Sequence, residues 1–141
     1  MALPDPVLSS EEFESLVAAG VEALPSWVKE KMDNVVFLAE RYASEEVLRA
    51  EGLGDPLELF GYYCGVPLSE RDHAYGNTLP DTITLYQLPH EVRARDAGGA
   101  LNHALLARLV AETVWHEVGH HLGLTEQEVE ARERTRGHEA L

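Results

Sequence analysis

Residues 115–128 read WHEVGHHLGLTEQE, with three histidines and three glutamates in fourteen positions at the end of an apolar run. The run has helical periodicity. On an ideal helix with Leu101 at zero, Leu105 falls at about 40°, His116 at about 60°, Leu109 at about 80° and His120 at about 100°. Glu117 then falls at about 160°, Val110 at about 180°, His121 at about 200° and Val114 at about 220°. Arg108, Glu112 and Gly119 lie on the outer side. His116 and His120 therefore continue the inward stripe of Leu105 and Leu109. Imidazoles placed there are costly unless each nitrogen finds a partner.

A shared cation resolves that cost. Side chains four apart on a helix stand about 5–6 Å apart at Cβ, close enough for two imidazoles to chelate one ion. Glu117, beside His116, is then near the metal without ligating it and can take a proton from water that the metal activates. This is the HExxH arrangement. A catalytic zinc has three protein ligands and an open position. Gly123 can take a positive φ and turn the chain back under the metal. Glu126 is the first acidic group after that turn and the preferred third ligand; Glu130 and Glu133 are the alternatives. Glu126 also suits the first turn of a following helix, where the N-terminal dipole stabilises an acid. His121 points toward Val110 and Val114 and is expected in the core or behind the ligands. Glu112 either orients His116 or pairs with Arg108 on the surface.

The rest of the chain narrows the function. Its 141 residues are expected to form a single domain spanning 1–141, and 45% are apolar, enough for one real core. The densest apolar run, VVFLA at 35–39, is far too short to span a membrane. The opening MALPDPVLSS lacks the pattern of a signal peptide. A single cysteine, Cys64, excludes an internal disulfide, and a cytoplasmic location is expected. The net charge is −14, and residues 1–60 alone, with 13 acidic and 4 basic side chains, carry −9. Nucleic acid and anionic membrane are poor partners for such a chain.

Read in order, Ser9-Ser10-Glu11-Glu12 is a capping box that opens a helix. Pro25 ends it or begins a short second one. NVVFLA (34–39) reads as a buried strand and LFGYYCGV (59–66) as another. SEEVLRAEG is a short helix, and 69–81 is loop. TITLYQL (82–88) alternates cleanly and is a third strand. A long helix over about 100–122 follows, stopped by Gly123. Thr125 opens a last helix, 126–136, with Glu128 as capping-box partner. Strands and helices without strict alternation indicate α+β.

HEVGHHLGLTEQE resembles the bacterial zincin-like metallopeptidase family, the minimal zincins, whose hallmark is similar to HExxHHxG followed shortly by an acid. GYYCGVPLSER (61–71) and LPDTITLY (79–86) resemble the same family. The resemblance implies an α+β zincin-like fold, with a short, mostly antiparallel sheet packed on the active-site helix. It implies Zn2+ held by His116 and His120, with Glu126 at the acidic position and Glu117 as the catalytic glutamate. A peptide or protein substrate would be hydrolysed, lying as an added strand along an edge strand, for which 82–88 is the candidate. Tyr62, Tyr63, Tyr86 and His73 are candidate oxyanion helpers, each also explicable as core or loop. The alternative function is a non-hydrolytic, metal-stabilised peptide- or protein-binding domain.

Overall fold

The computed structural model describes residues 3–71 and 79–132. Helices α1 (Ser10–Glu22) and α2 (Ser26–Lys31) open the chain, followed by strand β1 (Val35–Glu40) and helix α3 (Glu45–Ala50). Strands β2 (Gly61–Cys64) and β3 (Asp81–Tyr86) lead into α4 (Gln87–Arg93) and then α5 (His103–Leu122). Residues 126–132 are also helical. The capping box at the start of α1 is as expected. The Ser9 hydroxyl accepts from the Glu12 N–H at 3.1 Å, and the Glu12 carboxylate accepts from the Ser9 N–H at 2.9 Å. No helix among the described residues is long and apolar enough to cross a membrane.

The fold is α+β, with a three-stranded sheet in the order β1-β3-β2 packed on α5. The expectation of a mostly antiparallel sheet needs correcting. β2 does pair antiparallel with β3, from Gly61↔Leu85 to Cys64↔Thr82, but the longer pairing, β1 with β3, is parallel. The chain between β1 and β3 passes through α3 and β2, a connection long enough to bring it back in the same direction.

The role expected for 82–88 also needs correcting. β3 is the central strand, so both of its edges are taken and no substrate strand can add to it. Its faces are covered as well. Ile83 and Leu85 are fully buried against Phe13 and Val17 of α1 and Val110, Val114 and Trp115 of α5. Tyr86, on the opposite face, packs with Ala43 and Leu48. Alternation identified a strand, but the cover over its second face comes from residues about forty positions earlier in the chain.

Helix α4 begins where the third strand was expected to continue. Tyr86 precedes it without a side-chain cap, so the local start signal is missing. Pro89 lies in its first turn, where the absent N–H has no helical partner to lose. The buried face of α4 is polar. Glu91 accepts from the N–H groups of Val7 at 2.7 Å and Leu8 at 3.0 Å, and the Gln87 amide donates to the Leu8 carbonyl at 2.8 Å. These contacts hold the segment that leads into α1.

His90, fully buried, sits between the Tyr86 carbonyl at 2.6 Å and the Thr113 hydroxyl at 2.8 Å. A carbonyl only accepts, so Nδ1 carries the proton and Nε2 accepts from Thr113. Burial lowers the pKa of His90 from 6.5 to about 4, against the opposing pull of the Tyr86 carbonyl. The neutral ring therefore stabilises the fold fully above about pH 6.5, and that contribution is lost as pH falls toward about 4, because the unfolded chain takes up the proton first. Up to about 3 kcal/mol is at stake. Urea unfolding at about pH 7 and about pH 4.5 should show a larger loss for the native chain than for His90→Gln. Equal losses would mean that His90 titrates normally in the fold.

Candidate metal centre

Asn102 caps α5, its side-chain oxygen accepting from the Leu105 N–H at 3.0 Å. Gly123 ends the helix in the left-handed region at φ 90°. Its N–H reaches the His120 carbonyl at 3.0 Å, and the Leu124 N–H reaches the Gly119 carbonyl at 2.9 Å. That closure calls for a residue without a Cβ strain penalty. A second reason is steric: a Cβ here would collide with Ser69, in the turn Leu68–Glu70. Thr125 then caps the final helix, its hydroxyl accepting from the Glu128 N–H at 3.1 Å.

The reversal at Gly123 brings Glu126 to the motif. Its Oε2 lies 3.3 Å from His116 Nε2 and its Oε1 lies 2.9 Å from His120 Nε2. The two imidazoles stand 5.0 Å apart at 78°. The candidate ligand atoms of His116, His120 and Glu126 all lie within 4.8 Å of one another. Two imidazole nitrogens and a carboxylate are a donor set that catalytic zinc uses, and the residues present fit such an ion. Glu130 does not join this group, and Glu133 lies outside the described residues. His116 and His120 are on the rim of a cleft rather than in the core, with about a third of each side chain exposed.

Glu117 faces the same cleft but is only 8% exposed. Its carboxylate accepts from the backbone N–H of Tyr63 on β2. Gly61 makes this approach possible, since a Cβ there would sit 2.8 Å from Thr113 Cγ2 and 3.0 Å from Glu117 Cγ. Burial raises the carboxyl to about 7; the adjacent His116 opposes the shift, and Glu126 and Glu51 add to it. A proton acceptor near 7 suits general-base work at neutral pH. The cleft encloses about 660 Å3 and is walled by Glu51, Tyr63, Ser69 and Glu70 besides the motif.

His121 points away from the triad and is fully buried. Its Nε2 accepts from the Asp33 N–H at 3.2 Å, so Nδ1 is the donor, to Asp81 Oδ2 at 2.9 Å. The same oxygen accepts from the Tyr63 hydroxyl at 2.5 Å and the Arg71 guanidinium at 2.9 Å. Arg71 continues to Asp33 at 3.1 Å. Burial alone would raise the Asp81 carboxyl, but the donors from Tyr63 and His121, the Val66 N–H and the Arg71 charge hold it below the usual range. These residues went unnoticed as a set in the sequence, although the signal was there. Tyr63 and Arg71 lie in GYYCGVPLSER, Asp81 in LPDTITLY and His121 in the motif itself.

The remaining candidates fall elsewhere. Glu112 lies 3.9 Å from Arg108, the surface pairing. The Tyr63 hydroxyl is committed to Asp81. Tyr86 is buried, which pushes its phenol up to about 12. Tyr62 packs against the Ala43–Leu48–Tyr86 cluster, and His73 lies outside the described residues. Gly119 was expected on the outer face but is covered: a Cβ there would sit 2.6 Å from Val129 Cγ2, which packs down from the final helix.

The Asp81 network yields a stability prediction. Asp81→Ala strands a buried hydroxyl, an imidazole N–H and a guanidinium at once, and should cost about 3–5 kcal/mol in urea unfolding. Asp81→Asn, which still accepts hydrogen bonds, should cost less. An alanine variant as stable as the parent would show that these donors find other partners.

No curated protein matches the chain. A family model described as zincin-like metallopeptidase matches residues 32–136, from the end of α2 through the final helix. That span holds the sheet, the cleft and every member of the His116–His120–Glu126 group. The chain belongs to the zincin-like metallopeptidase family.

Proposed function

We propose that the chain is a single-domain zinc-dependent peptidase that hydrolyses peptide bonds with His116, His120 and Glu126 as metal ligands and Glu117 as general base. One observation carries the reading. A three-donor group opens onto a cleft in which the only deeply buried carboxylate, among the described lining residues, is the glutamate adjacent in sequence to one of the donors. Family membership supports a metal, typically zinc.

Zinc bound there supplies the Lewis acidity that polarises a scissile carbonyl and lowers the pKa of water to about 7. His116, His120 and Glu126 would hold the ion. Glu117, oriented by the Tyr63 N–H, takes the proton of the attacking water and delivers it to the departing amine. Its buried position keeps bulk water from competing for that carboxylate. An extended substrate adds along β2, the edge strand that borders the cleft through Gly61 and Tyr63.

Glu117→Gln should lower peptide hydrolysis by roughly 10²–10⁴-fold while keeping stoichiometric zinc, measured by elemental analysis beside a fluorogenic peptide assay. A glutamine variant that turns over at the parent rate overturns the base assignment. Chelation should abolish hydrolysis and leave most of the thermal stability, since the apolar core does not include the triad. Collapse of the fold on chelation, with no hydrolysis by the zinc-loaded protein, would instead favour a metal-stabilised binding domain.

A further inference from the structure

The metal cleft borders β2, at one edge of the sheet; β1 forms the other edge. The strand, VVFLAE, contains the densest apolar run in the chain and holds no lysine, proline or glycine to blunt an edge. Among the described strands it is hydrogen-bonded to β3 alone. The Asn34 carbonyl accepts from the Asp81 N–H at 2.9 Å, which sets the phase of the pairing. Backbone groups alternate sides along a strand, so Val36 and Leu38 turn theirs toward β3, and Val35, Phe37 and Ala39 present theirs at the open edge. The side chains of Val36 and Leu38 lie on the exposed face, each residue 42% exposed.

Alongside this edge a groove of about 600 Å3 opens between β1 and α1. Its floor is apolar, from Val17, Ala18 and Val21 of α1 and Phe37 and Ala39 of β1. Glu14, Glu22 and Glu40 line it, and no lysine or arginine does. Lys29 stands 3.6 Å from Glu22 and offsets that charge. Glu14 and Glu40 form no ion pair among the described residues. The surrounding chain does not compensate them, since residues 1–60 carry 13 acidic and 4 basic side chains.

The open edge offers backbone donors and acceptors that an added strand satisfies, and such a strand turns alternate side chains into the groove. The carboxylates decide the charge of the occupant. A second copy of this chain would bring the same three carboxylates and a net charge of −14 to the contact, so like charges oppose self-pairing. We propose that the edge of β1 and the groove beside it are a docking surface for an extended, basic segment of a partner protein, which adds to the sheet as a further strand with lysine or arginine against Glu14 and Glu40. The surface lies outside the metal centre and stands whether or not the chain hydrolyses peptides.

The test is NMR titration of the full chain with two capped peptides, acetyl-VKVKVKV-amide and acetyl-VEVEVEV-amide. The lysine peptide should shift the signals of Ala18, Val21, Phe37 and Ala39 saturably, and the glutamate peptide should bind roughly tenfold more weakly or worse. The double variant Glu14→Gln, Glu40→Gln changes two exposed positions and should weaken the lysine peptide roughly fivefold. The lysine peptide N-methylated at every residue keeps its side chains and charge but loses its amide donors, and should bind roughly tenfold more weakly. No binding of the lysine peptide, equal affinity for the two peptides, or shifts confined to Gly61, Tyr63 and the metal cleft overturn the proposal. Undiminished binding of the methylated peptide overturns strand addition. Dimerisation of the chain alone through the same signals gives the edge to a second copy and overturns the basic partner.

Discussion

Oδ2 of Asp81 accepts hydrogen bonds from three separate parts of the chain: the Tyr63 hydroxyl of β2, Arg71 beyond the turn Leu68–Glu70, and His121 of α5. Asp81 is itself the first residue of the central strand and is 1% exposed. A buried carboxylate is costly unless it is paired and saturated with donors, and here the donors are the elements that must meet for a cleft to exist. Tyr63 contributes twice. Its hydroxyl reaches Asp81 and its backbone N–H reaches Glu117, so the sheet edge is held to the helix by one residue. The second histidine of the HH pair serves this anchor, facing away from the first.

The opposite wall depends on a tight turn. Gly123 reverses the chain within a few residues, and Ser69 lies against it with no room for a Cβ. Glu126 is thereby delivered to two imidazoles that α5 places one turn apart. Val129 packing on Gly119 fixes the final helix over α5 and keeps Glu126 in reach. Fold and site thus occupy opposite sides of the same helix: apolar and Asp81-linked contacts on one side, the His116–His120–Glu126 group on the other.

The cleft has a directional character. Its main part is acidic, and the adjoining hollow sets Leu59, Phe60 and Leu109 beside Arg93 and Glu112. His90 contributes to the hollow from beneath, holding Thr113 and Phe60 while itself remaining neutral in a dry setting. A polar helix face with no obvious role in the sequence thus positions walls of the hollow beside the cleft.

Local physics made much of this legible. The capping boxes at Ser9 and Thr125, the glycine stop at 123, the three strands and the α+β class all follow from short-range pattern, because caps and periodicity act within a turn or two. The pairing of His116 with His120 is equally local, being fixed by helical geometry. What lay beyond the sequence was decided by partners far away along the chain. The centrality of β3, the parallel sense of β1, the helix at Gln87–Arg93 and the joining of Asp81, Tyr63, Arg71 and His121 all depend on contacts spanning tens of residues. No local periodicity encodes such contacts. They form because a buried charge and an unpaired backbone edge are both too costly to leave unsatisfied, and only the assembled tertiary structure determines which groups satisfy them.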